Sequence, residues 1–467
     1  MKLERIEVPG LAHYSYILSA QGRAVVVDPK RDVDTYVRHA RTHGLTVAYV
    51  LETHIHADYA SGALELAQTT AAELWLSGHD RGEDFEYQFA HHAFRDGDVL
   101  ELEGLRIRAV HTPGHTPEHL SYLIYDLSRS ETHAVALLSG DCVLVGSLGR
   151  PDLLGEAAKR RLAASLFTSV HEKLAGVEDG VELHPAHGAG TLCGSGVGER
   201  DASTMGYERA CNPYFQPQPR EEFIAHILGS VPPFPDYYRR MKRLNSVGPA
   251  AVGGFAGNRP LALADFQNAL REAAVVVDLR RPEAFGGAHI PGAFNIGAGQ
   301  NLSMWAAWMI PEDRAIVLVG DDDTPMGEAV RALARVGLDD VRGYLDGGMR
   351  VWIAAGLAQA HVPQLSVQEL SRKAGAFILD VRSDGEWNHG HIAGAIHRMA
   401  GDLAKHLQDL PREGAIHVVC GSGYRSSVAA SLLRHEGFEN IVNVVGGMEA
   451  WYAQDLPVVN EQACFVS

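Results

Sequence analysis

Apolar and polar positions change their period along the chain, and each change marks an element. Residues 14–18 and 24–27 alternate or run apolar around a Gly22 turn, which predicts two strands, the second stopped by Asp28-Pro29. Residues 32–43 take a helical spacing, and the apolar, β-branched run 45–51 reads as a buried strand. The pattern goes on with a helix over 61–70 and strands over 73–77 and 98–110, the latter with a Glu103-Gly104 turn inside it. Strands over 120–125 and 134–138, a helix over 156–175 and a short strand over 181–183 follow. Several of these strands are followed at once by His or Asp, the layout of a site assembled from loops.

Residues 229–258 are rich in Pro, Gly and Arg and read as a boundary. Beyond it the pattern repeats with a period near 100 residues. Asp278-Leu279-Arg280 with Glu283 and His289-Ile290-Pro291-Gly292-Ala293 recurs as Asp380-Val381-Arg382 with Glu386 and His391-Ile392-Ala393-Gly394-Ala395. Gly347-Gly348-Met349 with Trp352 recurs as Gly446-Gly447-Met448 with Trp451. Each copy alternates strands with helical stretches, so each is expected to be an α/β unit with a parallel sheet. The expected domains are residues 1–245, 246–362 and 363–467 of an α/β multidomain chain.

Length agrees, since 467 residues exceed a single core. The 41 basic and 58 acidic residues leave a net charge of −17, which argues against nucleic acid or an anionic membrane as partner. No apolar run has the length of a membrane span, and residues 1–10 lack a signal-like apolar core. Five scattered cysteines without a CxxC pair suit reduced thiols, hence a cytoplasmic location; the oligomeric state stays open, a homo-oligomer included. Of the 24 histidines 16 precede residue 245, which places metal chemistry in the first domain.

After the strand 45–51 the chain reads His54-Ile55-His56-Ala57-Asp58-Tyr59. Side chains two apart in an extended segment leave on the same side, so two imidazoles and a carboxylate form a compact donor set for a divalent metal. Later strand ends add Thr112-Pro113-Gly114-His115-Thr116, Ser139-Gly140-Asp141 and Pro185-Ala186-His187-Gly188.

These four ordered motifs resemble the metallo-β-lactamase fold, an αββα sandwich. The sequence departs from the hydrolase pattern H-x-H-x-D-H at one position, where Tyr59 replaces the last histidine. In the binuclear hydrolases that histidine serves the second metal, so the departure leaves Asp58 and His187 without that partner. The resemblance then implies one metal per chain on His54, His115 and Asp141. That two-histidine, one-carboxylate triad suits Fe(II), with Zn as the alternative. It is similar to the persulfide dioxygenases, the iron branch of this fold, and Gly149-Arg150-Pro151-Asp152 looks like that branch. His56 stays near the metal as a ligand or as a hydrogen-bonding neighbour of one, and Asp58 and His187 share that standing. His111, His119 and His184 read as core or supporting histidines.

Cys193 follows His187 by six residues in a Gly-rich loop. If the loop curls back, its thiol reaches the metal pocket as a relay; otherwise it is a small buried apolar residue. Cys142 reads as core. The stretch from Ser203 through Glu208 to Asn212-Pro213 resembles the segment beside the thiol-substrate pocket of glyoxalase II-like and dioxygenase relatives.

Both repeats resemble rhodanese domains. In the second, a strand ends at Cys420, and Gly421, Ser422, Gly423, Tyr424, Arg425 and Ser426 lead into a helix over about 426–436. A thiolate at the head of a loop feeding a helix N-terminus faces backbone N–H groups that stabilise S⁻ or a persulfide. Arg425 adds charge for an oxyanion. In the first copy, aligning Gly337 with Gly437 places Gly320 and Pro325 at the positions of Cys420 and Arg425, with Asp321, Asp322 and Asp323 in the loop. Three carboxylates repel a thiolate and an anion, so this copy is read as inactive, with a structural or docking role.

Over nearly its whole length the chain resembles the persulfide dioxygenase–rhodanese fusion family. The resemblance implies oxidation of a low-molecular-weight persulfide, of glutathione or coenzyme A type, by O2 to sulfite. Cys420 would then pass a sulfane sulfur to sulfite, giving thiosulfate. Two other readings remain. A binuclear zinc, glyoxalase II-like thioester hydrolase does not fit Tyr59, and a non-catalytic sulfur sensor does not fit the intact Cys420–Arg425 loop.

Overall fold

A computed structural model of the chain describes residues 1–460; Cys464 and the end of the expected third domain lie outside the described residues. Two compact units form: Met1–Gly253, with which Ala334–Gly337 group, and the remainder from Gly254.

The first unit holds two six-stranded sheets. One runs in chain order through Lys2–Val8, His13–Ala20, Arg23–Val27, Thr46–Leu51, Glu73–Ser77 and His92–Phe94. The other orders Ser203–Thr204, Glu182–Pro185, Ala136–Gly140, Leu120–Asp126, Leu105–His111 and Val99–Leu102. Alternation puts Tyr16, Leu18, Val25, Val27 and Leu51 of the first sheet against Ile107, Tyr122, Ile124 and Leu138 of the second, the central core. On the outer faces, Asp34–Thr42 and Ala63–Thr70 cover one sheet through Tyr36, Ala40 and Leu66, and Glu156–Thr168 and Arg220–Ser230 cover the other through Leu166, Phe223 and Ile227. This is the expected αββα sandwich. The helix expected over 156–175 changes at Thr168, where a π-turn over Ser169–Lys173 follows.

Within each sheet the strands that carry site residues run the same way. Arg23–Val27 is parallel to Thr46–Leu51, and Ala136–Gly140 is parallel to Glu182–Pro185. Leu105–His111 reaches the direction of Ala136–Gly140 through two antiparallel pairings. Asp28, His54, His115, Asp141 and His187 therefore all follow the C-terminal ends of their strands.

The second unit contains the two repeats. Each has a five-stranded parallel sheet, with Phe294–Asn295 as an outer strand in the first and Ile396–His397 in the second. The recurring Asp-x-Arg motif is a buried ion pair in both, Arg280–Asp278 and Arg382–Asp380, each at 2.7 Å. Each arginine also donates to a backbone carbonyl, that of Ala288 or Gly390.

Candidate functional site

His54, His115 and Asp141 converge at the end of the sandwich, all three fully buried. The Nε2 atoms of His54 and His115 stand 3.9 and 3.4 Å from Asp141 Oδ2. Neither Nε2 has a hydrogen-bond partner among the described residues. Burial, reinforced by the neighbouring imidazoles, holds both rings well below the usual histidine range, so both are neutral.

The backbone and side chains behind the rings decide which nitrogen is free. His115 Nδ1 donates to the carbonyl of Arg150 at 2.9 Å, which leaves a lone pair on Nε2. His54 Nδ1 meets Thr53 Oγ1 at 2.9 Å, and the single proton of that hydroxyl goes to Asp28 Oδ2 at 2.9 Å. His54 must donate there, and its Nε2 too is left as a lone pair. Two aimed imidazole lone pairs and a carboxylate are a donor set that fits Fe(II) or Zn(II). Asp28, on a backbone at φ 52°, anchors the arrangement, accepting also from Thr53 N at 2.7 Å and His56 Nε2 at 3.1 Å. A left-handed aspartate, buried and fully engaged, is a local strain worth sustaining only where it orients something.

His56 is thus turned to Asp28, with its ring centroid 4.1 Å from that of His54. His119 lies behind the metal group: its Nε2 accepts from the Asp141 amide at 3.0 Å and its Nδ1 meets Thr112 Oγ1. Burial, with His111 and His56, lowers its pKa to about 3, so it remains neutral. His111 bonds the carbonyl of Pro117 and His184 pairs with Glu182, each apart from the triad.

A second buried group adjoins the first. His187 lies between two carboxylates, Nδ1 at 2.7 Å from Asp141 Oδ1 and Nε2 at 2.8 Å from Asp58 Oδ2. Burial works against its charge, but Asp141 and Asp58 raise its pKa well above the usual value. The Cys193 loop does curl back, and Asp58, His187 and Cys193 offer ligand atoms within 4.8 Å of one another. Burial, with Asp58 and Asp141 beside it, pushes the Cys193 thiol well up, so it is protonated. Tyr59 fills its position with a ring 4.0 Å from that of His13, a buried histidine that sequence reading passed over.

Gly149 and Arg150 explain their motif by geometry. A Cβ on Gly149 would run into the Asp141 carbonyl and stand 2.8 Å from His115 Nδ1. Arg150, fully buried, forks onto Asp152 at 2.7 and 2.9 Å, donates to the carbonyls of Leu192 and Pro232, and bonds the Cys193 carbonyl through its amide. The helix Tyr237–Val247 clamps the histidine loop: Asn245 Nδ2 donates to the carbonyls of His56 and Tyr59 at 2.8 Å each, and Lys242 Nζ to that of Ile55 at 3.1 Å. Glu208 and Asn212 hold the turn before Ser147: Glu208 accepts from Gly146 N, and Asn212 donates to the Ser147 carbonyl.

In the second repeat Cys420 follows the strand Ile416–Val419 and is buried. Its Sγ accepts from Gly423 N at 3.1 Å and lies 3.4 Å from Ser426 Oγ, at the start of the helix Tyr424–His435. Gly421 is half-buried and Ser422 exposed. Arg425 differs from expectation. Both its terminal nitrogens bind Glu386, at 2.6 Å each, so its charge is matched before any anion arrives. Glu386 closes a capping box with Ser383, which presents the carboxylate to the loop. In the first repeat Gly320 follows Ile316–Val319 and Asp322 pairs with Arg350 at 3.7 Å. The backbone frame is shared, since a Cβ on Gly348 or Gly447 would strike the carbonyl of Gly320 or Cys420 respectively.

The metallo-beta-lactamase superfamily model matches residues 8–175, and the rhodanese-like domain model matches residues 262–355 and 364–454. A crystal structure of a metallo-β-lactamase from Staphylococcus aureus subsp. aureus COL is 31% identical, with a TM-score of 0.66, covering 74% of this chain and 98% of that one. A probable metallo-hydrolase of Burkholderia pseudomallei is 30% identical over 205 residues, 37% of this chain and 68% of its own. Hydroxyacylglutathione hydrolase GloC of Haemophilus influenzae is 24% identical over 233 residues, 46% of this chain and 98% of its own. Sandwich, strand-end histidines and family matches agree: the chain belongs to the metallo-β-lactamase superfamily, in a form whose metal-binding domain is followed by two rhodanese-like domains.

Proposed function

We propose that the first domain is a mononuclear Fe(II) persulfide dioxygenase and that the last repeat is a sulfurtransferase acting on its product. The observation that carries the reading is the pair of neutral, unpartnered Nε2 atoms of His54 and His115 facing Asp141, with Tyr59 in place of a second-metal histidine. Ferrous iron, when bound, supplies neighbouring open positions for dioxygen and a sulfur ligand. The chain's part is to fix the ligands. Arg150 and Thr53 set the histidine tautomers, and His187 holds the Asp141 carboxylate. Overall, one persulfide, one O2 and one water become thiol, sulfite and two protons. The Cys420 thiolate takes the outer sulfur of a second persulfide as Cys–S–S⁻ and releases its thiol, and attack by sulfite on that outer sulfur returns the thiolate and releases thiosulfate.

The test is oxygen uptake by iron-loaded protein across glutathione, coenzyme A and other persulfides, with sulfite and thiosulfate quantified and metal counted. One metal per chain with persulfide-dependent uptake is expected. A second reading, a zinc thioester hydrolase, draws on the retained Asp58 and His187 and on the similarity to hydroxyacylglutathione hydrolase. Two fully occupied metals with thioester cleavage and no oxygen uptake would establish it instead.

A further inference from the structure

The strand Phe294–Asn295 is an outer strand of the degenerate repeat's sheet, yet it is not left open. The helix Tyr424–His435 of the active repeat packs on it through polar, directional contacts. Asn295 Nδ2 donates to the carbonyls of Asp278 and Arg280 at 3.1 and 3.0 Å, and its Oδ1 accepts from Ser427 Oγ at 2.5 Å. Two residues on, the Gly297 carbonyl accepts from the Tyr424 hydroxyl at 3.2 Å. The Tyr424 ring lies so near that a Cβ on Gly297 would stand 3.2 Å from its Cε2. At the far end of the same helix His435 packs its ring on Phe294 at 4.7 Å, and its Nδ1 lies 3.4 Å from the Gly292 carbonyl.

Polar contacts therefore occur at both ends of the helix, and those of its first turn lie beside the active loop. Here the side-chain hydroxyl bonds fall in its first turn, on the residues that flank Arg425 and Ser426. That turn begins at Gly423, whose N–H bonds Cys420 Sγ. The active loop itself supplies Tyr424, so the degenerate repeat reaches into the sequence that surrounds the thiol. The matching residues of the degenerate loop, Thr324 and Gly327, carry neither a phenol nor, at 327, any side chain.

We propose that the degenerate repeat positions the sulfur-transfer loop: Asn295 and Gly297 dock Ser427 and Tyr424, and so keep the first helical turn and its Gly423 N–H aimed at Cys420. Asn295 and Gly297 are positioning residues and touch no substrate. The charged groups about the loop, Arg425, Glu386 and Glu449, are left in place by substitutions at either.

The inference rests on Cys420 being the sulfur carrier, and its test separates the two claims. In the full-length protein, alkylation of Cys420 by iodoacetamide is followed against pH by peptide mass spectrometry, alongside sulfur transfer from thiosulfate. Gly297→Val wedges under the Tyr424 ring, and Asn295→Ala removes the Ser427 acceptor. Each is expected to slow transfer at neutral pH roughly fivefold, the weight of one hydrogen bond. The alkylation midpoint is expected to rise in both, because a less well aimed Gly423 N–H stabilises the thiolate less. His435→Ala, on the same interface but at the other end, should leave both at the wild-type values. Gly297→Ala serves if the valine variant does not fold. Wild-type alkylation profiles in folded Gly297 and Asn295 variants, or an equal shift in His435→Ala, would overturn the proposal. A midpoint that shifts in a protein with no sulfur transfer at all would sink the carrier role and leave the positioning role standing.

Discussion

Replacing Thr53 by valine isolates the support behind the metal ligands. The hydroxyl links His54 Nδ1 to Asp28 Oδ2, both at 2.9 Å and both buried. Valine copies the shape and removes the link. Asp28 keeps its bonds from the Thr53 amide and His56 on Oδ1, while Oδ2 loses the hydroxyl. An unmet buried group costs about 1–3 kcal/mol, more when charged, so the two stranded atoms cost about 2–6 kcal/mol of folding free energy. Loss of the partner that fixes a ligand's tautomer weakens metal binding by about 10- to 100-fold. Urea unfolding of the metal-free protein reads the first quantity, and competition of Co(II) between protein and chelator reads the second. Thr53→Ser, which keeps the hydroxyl, should restore most of both. If Thr53→Val binds the metal within about twofold of wild type, the hydroxyl does not set the His54 tautomer and the argument from it fails.

His115→Ala should abolish oxygen uptake while Cys420 still takes up sulfur from thiosulfate, measured as a persulfide on its peptide. Cys420→Ser replaces an acidic thiol by a hydroxyl that stays protonated, so sulfur transfer should stop while oxygen uptake continues, and the product should move from thiosulfate to sulfite in chromatography. Wild-type thiosulfate output, after subtracting the spontaneous reaction, would exclude Cys420 as the carrier. At Glu386, burial pulls the carboxyl up, but the bonds from Arg425 and Ser383 bring it down to about 2, against 4.5 for the free group. A depressed carboxyl stabilises fully above 4.5 and loses that contribution as pH falls toward about 2. Glu386→Gln should therefore flatten the acid side of the pH–stability curve and, by freeing Arg425, lower the KM for thiosulfate; an unchanged acid limb would count against the pair.

Periodicity carried most of the fold, because alternating strands and an amphipathic helix are local. The site was legible wherever a strand end delivered a histidine or aspartate in a short motif, as at His54, His115, Asp141 and His187. Asp28 ends its strand in the same way, yet beside Pro29 it reads as a turn stop; its role appears only once Thr53, 25 residues away, closes on it. The helix Tyr237–Val247 hides in a stretch that reads as a boundary, since it grips the histidine loop through Asn245 and Lys242 rather than through apolar side chains alone. The Arg425–Glu386 pair spans 39 residues and leaves no period to find. Polar contacts between distant segments are set by the finished fold, and local pattern is silent about them.

The loop at Gly320 leaves little room for a side chain. A Cβ there would lie 2.5 Å from Met326 Cε and 2.7 Å from Thr324 Oγ1. The ends of two side chains occupy the space a Cβ needs and would have to turn aside, and Pro325 stands where the other repeat has Arg425. A cysteine placed at 320 alone would displace the Met326 tip and Thr324, whose hydroxyl accepts from the Asp321 amide at 2.9 Å, and would still face Pro325 in place of an arginine. On the proposed reading of Cys420, no single substitution gives the first repeat the loop of the second.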